Sequence, residues 1–169
     1  MRTLSMLAAA AVLLLSGAAA FADDQDGTAA DDELRGTAGA DTLRGKAGND
    51  LLSGRDGDDL LLGAAGRDLL NGGPGLDDLG GGPGNDVILA GRDSSEDRTY
   101  GQAGKDEIHV NGDDQVSAGG GNDIIFAAHP GKAMFIMCGA GFDDVVFDRT
   151  PPAETVVTDD CERVQLSAD

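Results

Sequence analysis

The sequence predicts an all-β fold in which very short strands stack on one another as a solenoid. Residues 36–89 divide into six consecutive blocks of nine residues, with no gap between them. Nine residues leave room for a turn of about six residues and a strand of about three. A strand that short is stable only when it stacks on copies of itself, so the blocks should form a continuous pile.

Three places in each block keep one residue type and indicate how a block folds. The fourth place is always glycine, which permits a tight turn or a positive φ. The sixth place is always aspartate, and the eighth is a large aliphatic residue in a short apolar run typical of a strand. The glycines are Gly39, Gly48, Gly57, Gly66, Gly75 and Gly84. The aspartates are Asp41, Asp50, Asp59, Asp68, Asp77 and Asp86. The aliphatic residues are Leu43, Leu52, Leu61, Leu70, Leu79 and Ile88.

The aspartates create an electrostatic problem if the blocks stack. Equivalent side chains on neighbouring strands lie about 4.8 Å apart, and two carboxylates at about 5 Å repel by roughly 3 kcal/mol at an effective dielectric near 20. Lys46, Arg55 and Arg67 are scattered over the first four blocks, but the fifth and sixth blocks contain no lysine or arginine. A cation between the turns would remove the repulsion, and hard oxygen ligands without sulfur favour Ca²⁺.

The blocks resemble the RTX (haemolysin-type) calcium-binding nonapeptide, G-G-x-G-x-D-x-U-x, where U is a large aliphatic residue. This resemblance implies a parallel β-roll in which two nonapeptides make one coil, with Ca²⁺ held between turns by aspartate carboxylates and turn carbonyls. The two edges of the roll would then be lined by Asp41, Asp59 and Asp77 and by Asp50, Asp68 and Asp86. The second place departs from the pattern, since only Gly73 and Gly82 match it. A flexible spacer is the alternative, although a spacer does not need leucine in phase.

The residues before the blocks predict export. Arg2 precedes an apolar run at residues 7–15, and residues 20–22 fit a cleavage site between small residues. Residues 1–22 are therefore predicted to be a secretory signal peptide, and the protein is predicted to be extracellular. Residues 23–35 are acidic and small, and we expect them to be a disordered leader.

The repeat becomes irregular after Leu89. Residues 90–100 contain a two-residue insertion relative to the phase and are predicted to form a surface loop. The roll is thus expected to have a regular part at residues 36–89 and a degenerate part at residues 90–147. The calcium ligands expected in the degenerate part are Asp106, Asp114, Asp123 and Asp143. In the regular part we expect the sixth-place aspartates and the fourth-place glycines to form the sites.

The end of the chain contains its two cysteines. A block that begins at Cys138 and a later Cys-Glu-x-Val sequence at Cys161 resemble the closing segment of small secreted RTX proteins. Residues 148–169 are therefore expected to cap the roll, whose last coil would otherwise expose its apolar face. Two cysteines in an exported chain favour a disulfide, and two unpaired buried thiols are the alternative.

Composition and motifs argue against several classes of function. The chain has 31 acidic and 12 basic residues and a formal net charge of −19, which argues against nucleic acid and anionic membranes as partners. The sequence has no H-E-x-x-H zinc motif and no G-x-S-x-G nucleophile motif. We therefore expect a secreted calcium-binding protein, not an enzyme, that acts as a structural or interaction module. An adhesin-like or glycan-binding module is the alternative, and a hydrolase is less favoured. A cell-surface or glycan partner and the oligomeric state stay open.

Overall fold

The computed structural model describes residues 22–128 and 134–167. In these residues the chain forms sixteen β-strands and no helix. Successive strands alternate between two eight-stranded parallel sheets, so each coil contributes one strand to each sheet. The predicted parallel β-roll is confirmed.

The odd-numbered strands form the first sheet and the even-numbered strands form the second. The first sheet contains β1 (Asp24–Asp26), β3 (Thr42–Ala47), β5 (Leu60–Ala65), β7 (Asp78–Pro83), β9 (Arg98–Ala103), β11 (Gln115–Gly121), β13 (Phe135–Gly141) and β15 (Val156–Val157). The second contains β2 (Glu33–Arg35), β4 (Leu51–Ser53), β6 (Leu69–Asn71), β8 (Val87–Leu89), β10 (Glu107–Asn111), β12 (Ile124–Ala128), β14 (Asp144–Phe147) and β16 (Arg163–Leu166). Neighbouring strands pair in register, for example Leu43 of β3 with Leu61 of β5.

The eighth-place side chains form two ladders that meet inside the roll. Six of these side chains are fully buried in the regular part: Leu43, Leu52, Leu61, Leu70, Leu79 and Ile88. The degenerate part continues the ladders with Thr99, Ile108, Val116, Ile125, Ile136 and Val145. Burial of each leucine or isoleucine contributes about 1.5–3 kcal/mol. Since these side chains pack on those of the neighbouring coils, a missing block would leave its neighbours without a packing partner.

Residues 23–35 belong to the roll, so the expectation of a disordered leader is wrong. Strand β1 pairs with β3, and β2 pairs with β4. The physical reason is a further block, residues 27–35, in which Gly27, Asp32 and Leu34 take the first, sixth and eighth places. Its fourth place is Ala30 instead of glycine, which hides the block in the sequence.

The C-terminal segment closes both sheets. Strand β15 pairs with β13 and ends the first sheet, while β16 pairs with β14 and ends the second. The predicted disulfide is confirmed, since Cys138 and Cys161 are bonded with their Cα atoms 5.2 Å apart. Cys138 is fully buried in the core. The disulfide therefore fastens the C-terminal segment to the interior of the last coils.

No helix in the described part of the chain is long and apolar enough to cross a membrane. The predicted signal peptide at residues 1–22 lies, apart from Ala22, outside the described residues.

Reduction of the Cys138–Cys161 disulfide should lower the free energy of unfolding by about 3 kcal/mol. The bond closes a loop with a sequence separation of 23, and the unfolded chain regains the entropy of that loop when the bond is broken. Urea unfolding in the presence of calcium, with and without reductant, measures the change. The Cys138→Ser/Cys161→Ser variant is the control because reductant cannot act on it. An unfolding free energy that reductant leaves unchanged in the original protein would contradict a stabilising role.

Candidate metal centre

The sixth-place aspartates lie in the turns, at the two edges where the chain passes between the sheets. The first-edge ladder consists of Asp23, Asp41, Asp59, Asp77, Asp97 and Asp114. The second-edge ladder consists of Asp32, Asp50, Asp68, Asp86, Asp106, Asp123 and Asp143. From Asp41 and Asp50 onward these side chains are at most 3% exposed. The roll thus buries two rows of carboxyl groups.

One carboxylate oxygen of each aspartate is used to join neighbouring coils. The backbone N–H of Asp41 donates to Oδ1 of Asp59 at 2.8 Å, and the N–H of Asp59 donates to Oδ1 of Asp77 at 2.9 Å. The second-edge ladder repeats this bond and ends where the N–H of Asp143 donates to Glu162 Oε2 at 2.7 Å. A turn N–H that would otherwise be buried without a partner is satisfied in this way.

The other oxygen, Oδ2, is buried and accepts no hydrogen bond in most turns. The aspartates in this state are Asp50, Asp59, Asp68, Asp77, Asp86, Asp97, Asp106, Asp123 and Asp143. A buried polar atom without a partner costs about 1–3 kcal/mol, and more when it is charged. Nine such atoms at equivalent positions therefore indicate a ligand that the protein chain itself does not supply.

The pKa values of these carboxyl groups follow from their burial. Removal from water raises the pKa of Asp59 to about 6, of Asp86 to about 7 and of Asp77 to about 8. Neighbouring carboxylates of the same ladder raise the pKa further, while the N–H donor to Oδ1 opposes the shift. The charged form of each group is thus unfavourable until a proton or a cation joins it.

A main-chain carbonyl of the next coil faces the same space as the free Oδ2 in the turns of Asp50, Asp59, Asp68, Asp77 and Asp106. A Cβ atom placed on Gly45 would lie 2.2 Å from Asp50 Oδ2 and 2.7 Å from the carbonyl oxygen of Gly63 in the next coil. The corresponding distances at Gly72 are 2.3 Å to Asp77 Oδ2 and 2.5 Å to the carbonyl oxygen of Ala90. In these coils glycine at the first place keeps open a space lined by oxygen atoms, whereas Ala118 and Cys138 take that place in the turns of Asp123 and Asp143. Carboxylate and carbonyl oxygens are the ligands that Ca²⁺ prefers.

Side chains alone do not complete such a site. No group of three or more histidine, cysteine, aspartate or glutamate side chains converges on one point in residues 22–128 and 134–167. Each coil supplies one aspartate per edge, and neighbouring coils are a strand spacing apart. A bound ion would need main-chain carbonyls for the rest of its oxygen ligands.

The second place of the turn takes a left-handed backbone even where it is not glycine. Lys46, Arg55 and Ala64 have φ values of 81°, 85° and 75°, close to the region of Gly73 at 113°. A non-glycine residue held there costs about 1–3 kcal/mol. The departures from the nonapeptide pattern at these three positions therefore preserve the turn, and a strained backbone persists because the stacked coils hold it.

The fourth-place glycines are required for close stacking of the turns. A Cβ atom on Gly66 would lie 1.6 Å from the carbonyl oxygen of Gly48, and one on Gly75 would lie 1.9 Å from that of Gly57. Any side chain at these positions would push neighbouring coils apart. Gly39 and Gly84 occupy the same place in their blocks, and ion binding by these glycine carbonyls stays a prediction.

Asp97 is a ladder member that the sequence reading missed. Its Oδ1 accepts the N–H of Asp77 at 2.8 Å, its Oδ2 has no partner, and burial raises its pKa to about 6. It follows Asp77 by 20 residues instead of 18 because of the insertion. The following strand, with Thr99 at the buried place, was the available signal. Asp93, in the inserted loop, instead accepts backbone N–H groups from Gly75 and Ser95.

Asp114 is in the ladder as predicted but has no free oxygen. Its Oδ1 accepts the N–H of Asp97 at 3.1 Å, and its Oδ2 accepts the N–H of Asn111 at 2.7 Å. The turn between Asn111 and Asp114 is shorter than in other blocks, and Gly112 with φ of 63° allows it. The shortening brings a backbone donor to the oxygen that accepts no hydrogen bond in most other turns.

A comparison with protein-family models matches the chain to the model described as RTX calcium-binding nonapeptide repeat (4 copies) at residues 26–61, 53–88 and 100–128. These ranges cover more than half of the 169 residues. Comparisons with curated proteins and with solved structures find no match. The chain therefore belongs to the family of RTX calcium-binding nonapeptide-repeat proteins.

Proposed function

We propose that this protein is an extracellular structural module whose roll folds around Ca²⁺ bound in its turns. The observation that supports the proposal is the row of buried Oδ2 atoms without hydrogen-bond partners, several of which face a main-chain carbonyl of the next coil, as Asp50 and Asp77 do. The ligands would be the ladder aspartates and these carbonyls. Bound calcium would supply the positive charge that the buried carboxylates need, and binding to the folded state alone would stabilise that state.

The basic side chains do not supply that charge. In the described residues, the ion pairs of Lys46 and Arg98 are with Asp26 and Asp78, which lie outside the ladders. These pairs are about half exposed, and such surface pairs contribute at most about 1 kcal/mol. The ladders therefore depend on a cation from solution.

The disulfide and the calcium requirement both favour a location outside the cytoplasm. Disulfides persist in oxidising compartments, and the Cys138–Cys161 bond closes the roll at its end. The predicted signal peptide at residues 1–22 would direct export. In the cytoplasm, where free calcium is scarce, the chain would stay unfolded and suited to export.

A second candidate function is glycan binding on the first sheet. A groove of about 610 Å³ on its outer face is lined by Tyr100, Gln102 and the Asp78–Arg98 ion pair, among other residues. The Tyr100 side chain is 44% exposed, and its register partner Gly80 has no side chain to cover it. An aromatic ring beside a few polar groups is the usual composition of a small-ligand site, and a sugar ring could stack on the tyrosine.

Calcium should convert the purified protein from a largely disordered chain to a β-rich fold. In EDTA the buried carboxylates repel one another and the thin core cannot compensate, whereas millimolar calcium should restore the ladders. Circular dichroism during a calcium titration measures the change, and magnesium is the control because its smaller, near-octahedral coordination suits these turns poorly. A β-rich spectrum that EDTA leaves unchanged would refute calcium-dependent folding.

Calcium-free protein should be more ordered at pH 5.5 than at pH 8. The pKa values of Asp59, Asp86 and Asp77 in the fold are about 6, 7 and 8, above the value near 3.9 for an unfolded chain. The folded state binds more protons between these limits, so the free energy of unfolding falls as pH rises from about 4 to about 8. Circular dichroism in calcium-free buffer at both pH values tests this. Order that increases with pH under these conditions would contradict the burial of free carboxylates.

The Tyr100→Ala variant should lose retention on polysaccharides if the groove binds sugars. Affinity electrophoresis in gels that contain soluble polysaccharides, with calcium present, measures the retention of both proteins. Leu69→Ala is the control because Leu69 is exposed on the second sheet. If the original protein migrates equally in gels with and without a polysaccharide, glycan binding is excluded for the polysaccharides tested.

A further inference from the structure

The turns of Asp32 and Asp41 differ in one respect from the later turns whose Oδ2 accepts no hydrogen bond, which we call calcium-type turns. Threonine occupies their second place, at Thr28 and Thr37. The N–H and the hydroxyl of Thr28 donate to Asp32 Oδ2 at 2.6 and 2.9 Å. The N–H of Thr37 donates to Asp41 Oδ2 at 2.5 Å, and the Thr37 hydroxyl lies 3.2 Å from both Oδ1 and Oδ2 of Asp41. In both turns, the Oδ2 atom accepts a backbone N–H and is also within hydrogen-bond distance of the threonine hydroxyl.

The backbone explains why threonine closes the turn. At the same place one coil later, Lys46 and Arg55 adopt positive φ values of 81° and 85°, and the Oδ2 atoms of Asp50 and Asp59 are free. Neither threonine adopts a positive φ, because a β-branched side chain strongly disfavours that region. The different backbone directs the threonine N–H toward the carboxylate, and the hydroxyl adds a second donor. The threonine donors thus stabilise the carboxylate charge, as a bound cation would.

We propose that the turns of Asp32 and Asp41 bind no calcium and that the calcium ladders begin one coil later, at Asp50 and Asp59. This inference rests on the proposed function and specifies which turns carry it. The short turn of Asp114, where Asn111 supplies the second donor, is closed in a comparable way. Calcium on the first edge is thereby limited to the turns of Asp59, Asp77 and Asp97. On the second edge it extends from Asp50 to Asp143.

The turns of Asp32 and Asp41 keep the space lined by oxygen atoms, but their Oδ2 atoms already accept hydrogen bonds. A Cβ atom on Gly36 would lie 2.4 Å from Asp41 Oδ2 and 2.5 Å from the carbonyl oxygen of Gly54, as in the calcium-type turns. A carboxylate oxygen has about two lone-pair sites, and the two threonine donors occupy them. An ion could enter only after both hydrogen bonds had broken. A threonine at the second place is therefore sufficient to replace calcium binding in that turn by hydrogen bonding.

Replacement of both threonines by glycine should create new calcium sites. Thr28→Gly/Thr37→Gly removes the hydroxyls, permits a positive φ and frees both Oδ2 atoms. We expect this variant to bind up to two more calcium ions per chain than the original protein, as counted by native mass spectrometry and by calorimetric titration with calcium alone. Lys46→Gly/Arg55→Gly is the matched control, since it makes the same change one coil later, where the turns already have positive φ. Its ion count should equal that of the original protein.

A pair of aspartate variants provides a test that does not depend on new sites. Asp41→Asn should leave the number of bound calcium ions unchanged because no ion is bound at this turn, although the amide oxygen can keep only one of the two N–H groups, from Asp23 and Thr37, that the carboxylate accepts. Asp59→Asn, on the same edge, should remove at least one ion. The inference is overturned if Asp41→Asn loses as many ions as Asp59→Asn, or if both double-glycine variants give the same count as the original protein. An original protein that binds no calcium would instead refute the proposed function.

Discussion

Burial of a carboxylate in every turn is the constraint on which the rest of this roll depends. The coils stack at a strand spacing, so each ladder places like charges a few ångströms apart in a dry environment. The same aspartates cannot be removed, because their Oδ1 atoms accept the backbone N–H groups that join one coil to the next, as Asp59 does for Asp41. The fold thus needs a group that is electrostatically unfavourable. A cation that binds to Oδ2 resolves this conflict without disturbing the bond at Oδ1.

The narrow core makes the stability of the fold depend more strongly on bound ions. Most strands bury one or two large side chains, such as Leu61 or Leu70, so the interior is narrow. A core of this kind grows with the number of coils and not with their width, so no coil is stable without its neighbours. Loss of ions from the edges would therefore affect the whole stack. The packing of side chains and the charges at the edges both couple each coil to its direct neighbours.

Periodicity was sufficient to predict stacked short strands and most ladder positions, because residues such as Asp50 and Leu52 recur at fixed places, whereas the parallel roll and its two edges followed from the resemblance to the RTX nonapeptide. It was insufficient where one place changed. Ala30 in place of glycine concealed the block of Asp32 and Leu34, and an insertion concealed Asp97. The sequence also does not reveal whether an aspartate keeps a free oxygen. That depends on the backbone at the second place, where Lys46 and Thr28 differ in φ although neither is glycine.

The two ends of the roll are closed by bonds that need no calcium. At the C-terminal end, the Cys138–Cys161 disulfide holds the last segment, and Glu162 accepts the final ladder N–H. At the N-terminal end, Thr28 and Thr37 donate to the ladder carboxylates themselves. The turn of Asp32 has a described ladder neighbour on one side only, at Asp50, so an ion there would have fewer ligands and bind more weakly. Hydrogen-bonded closure at the N-terminal end would leave calcium to act in the later coils, where neighbouring turns can share it, and the disulfide would hold the segment that covers the last of these coils.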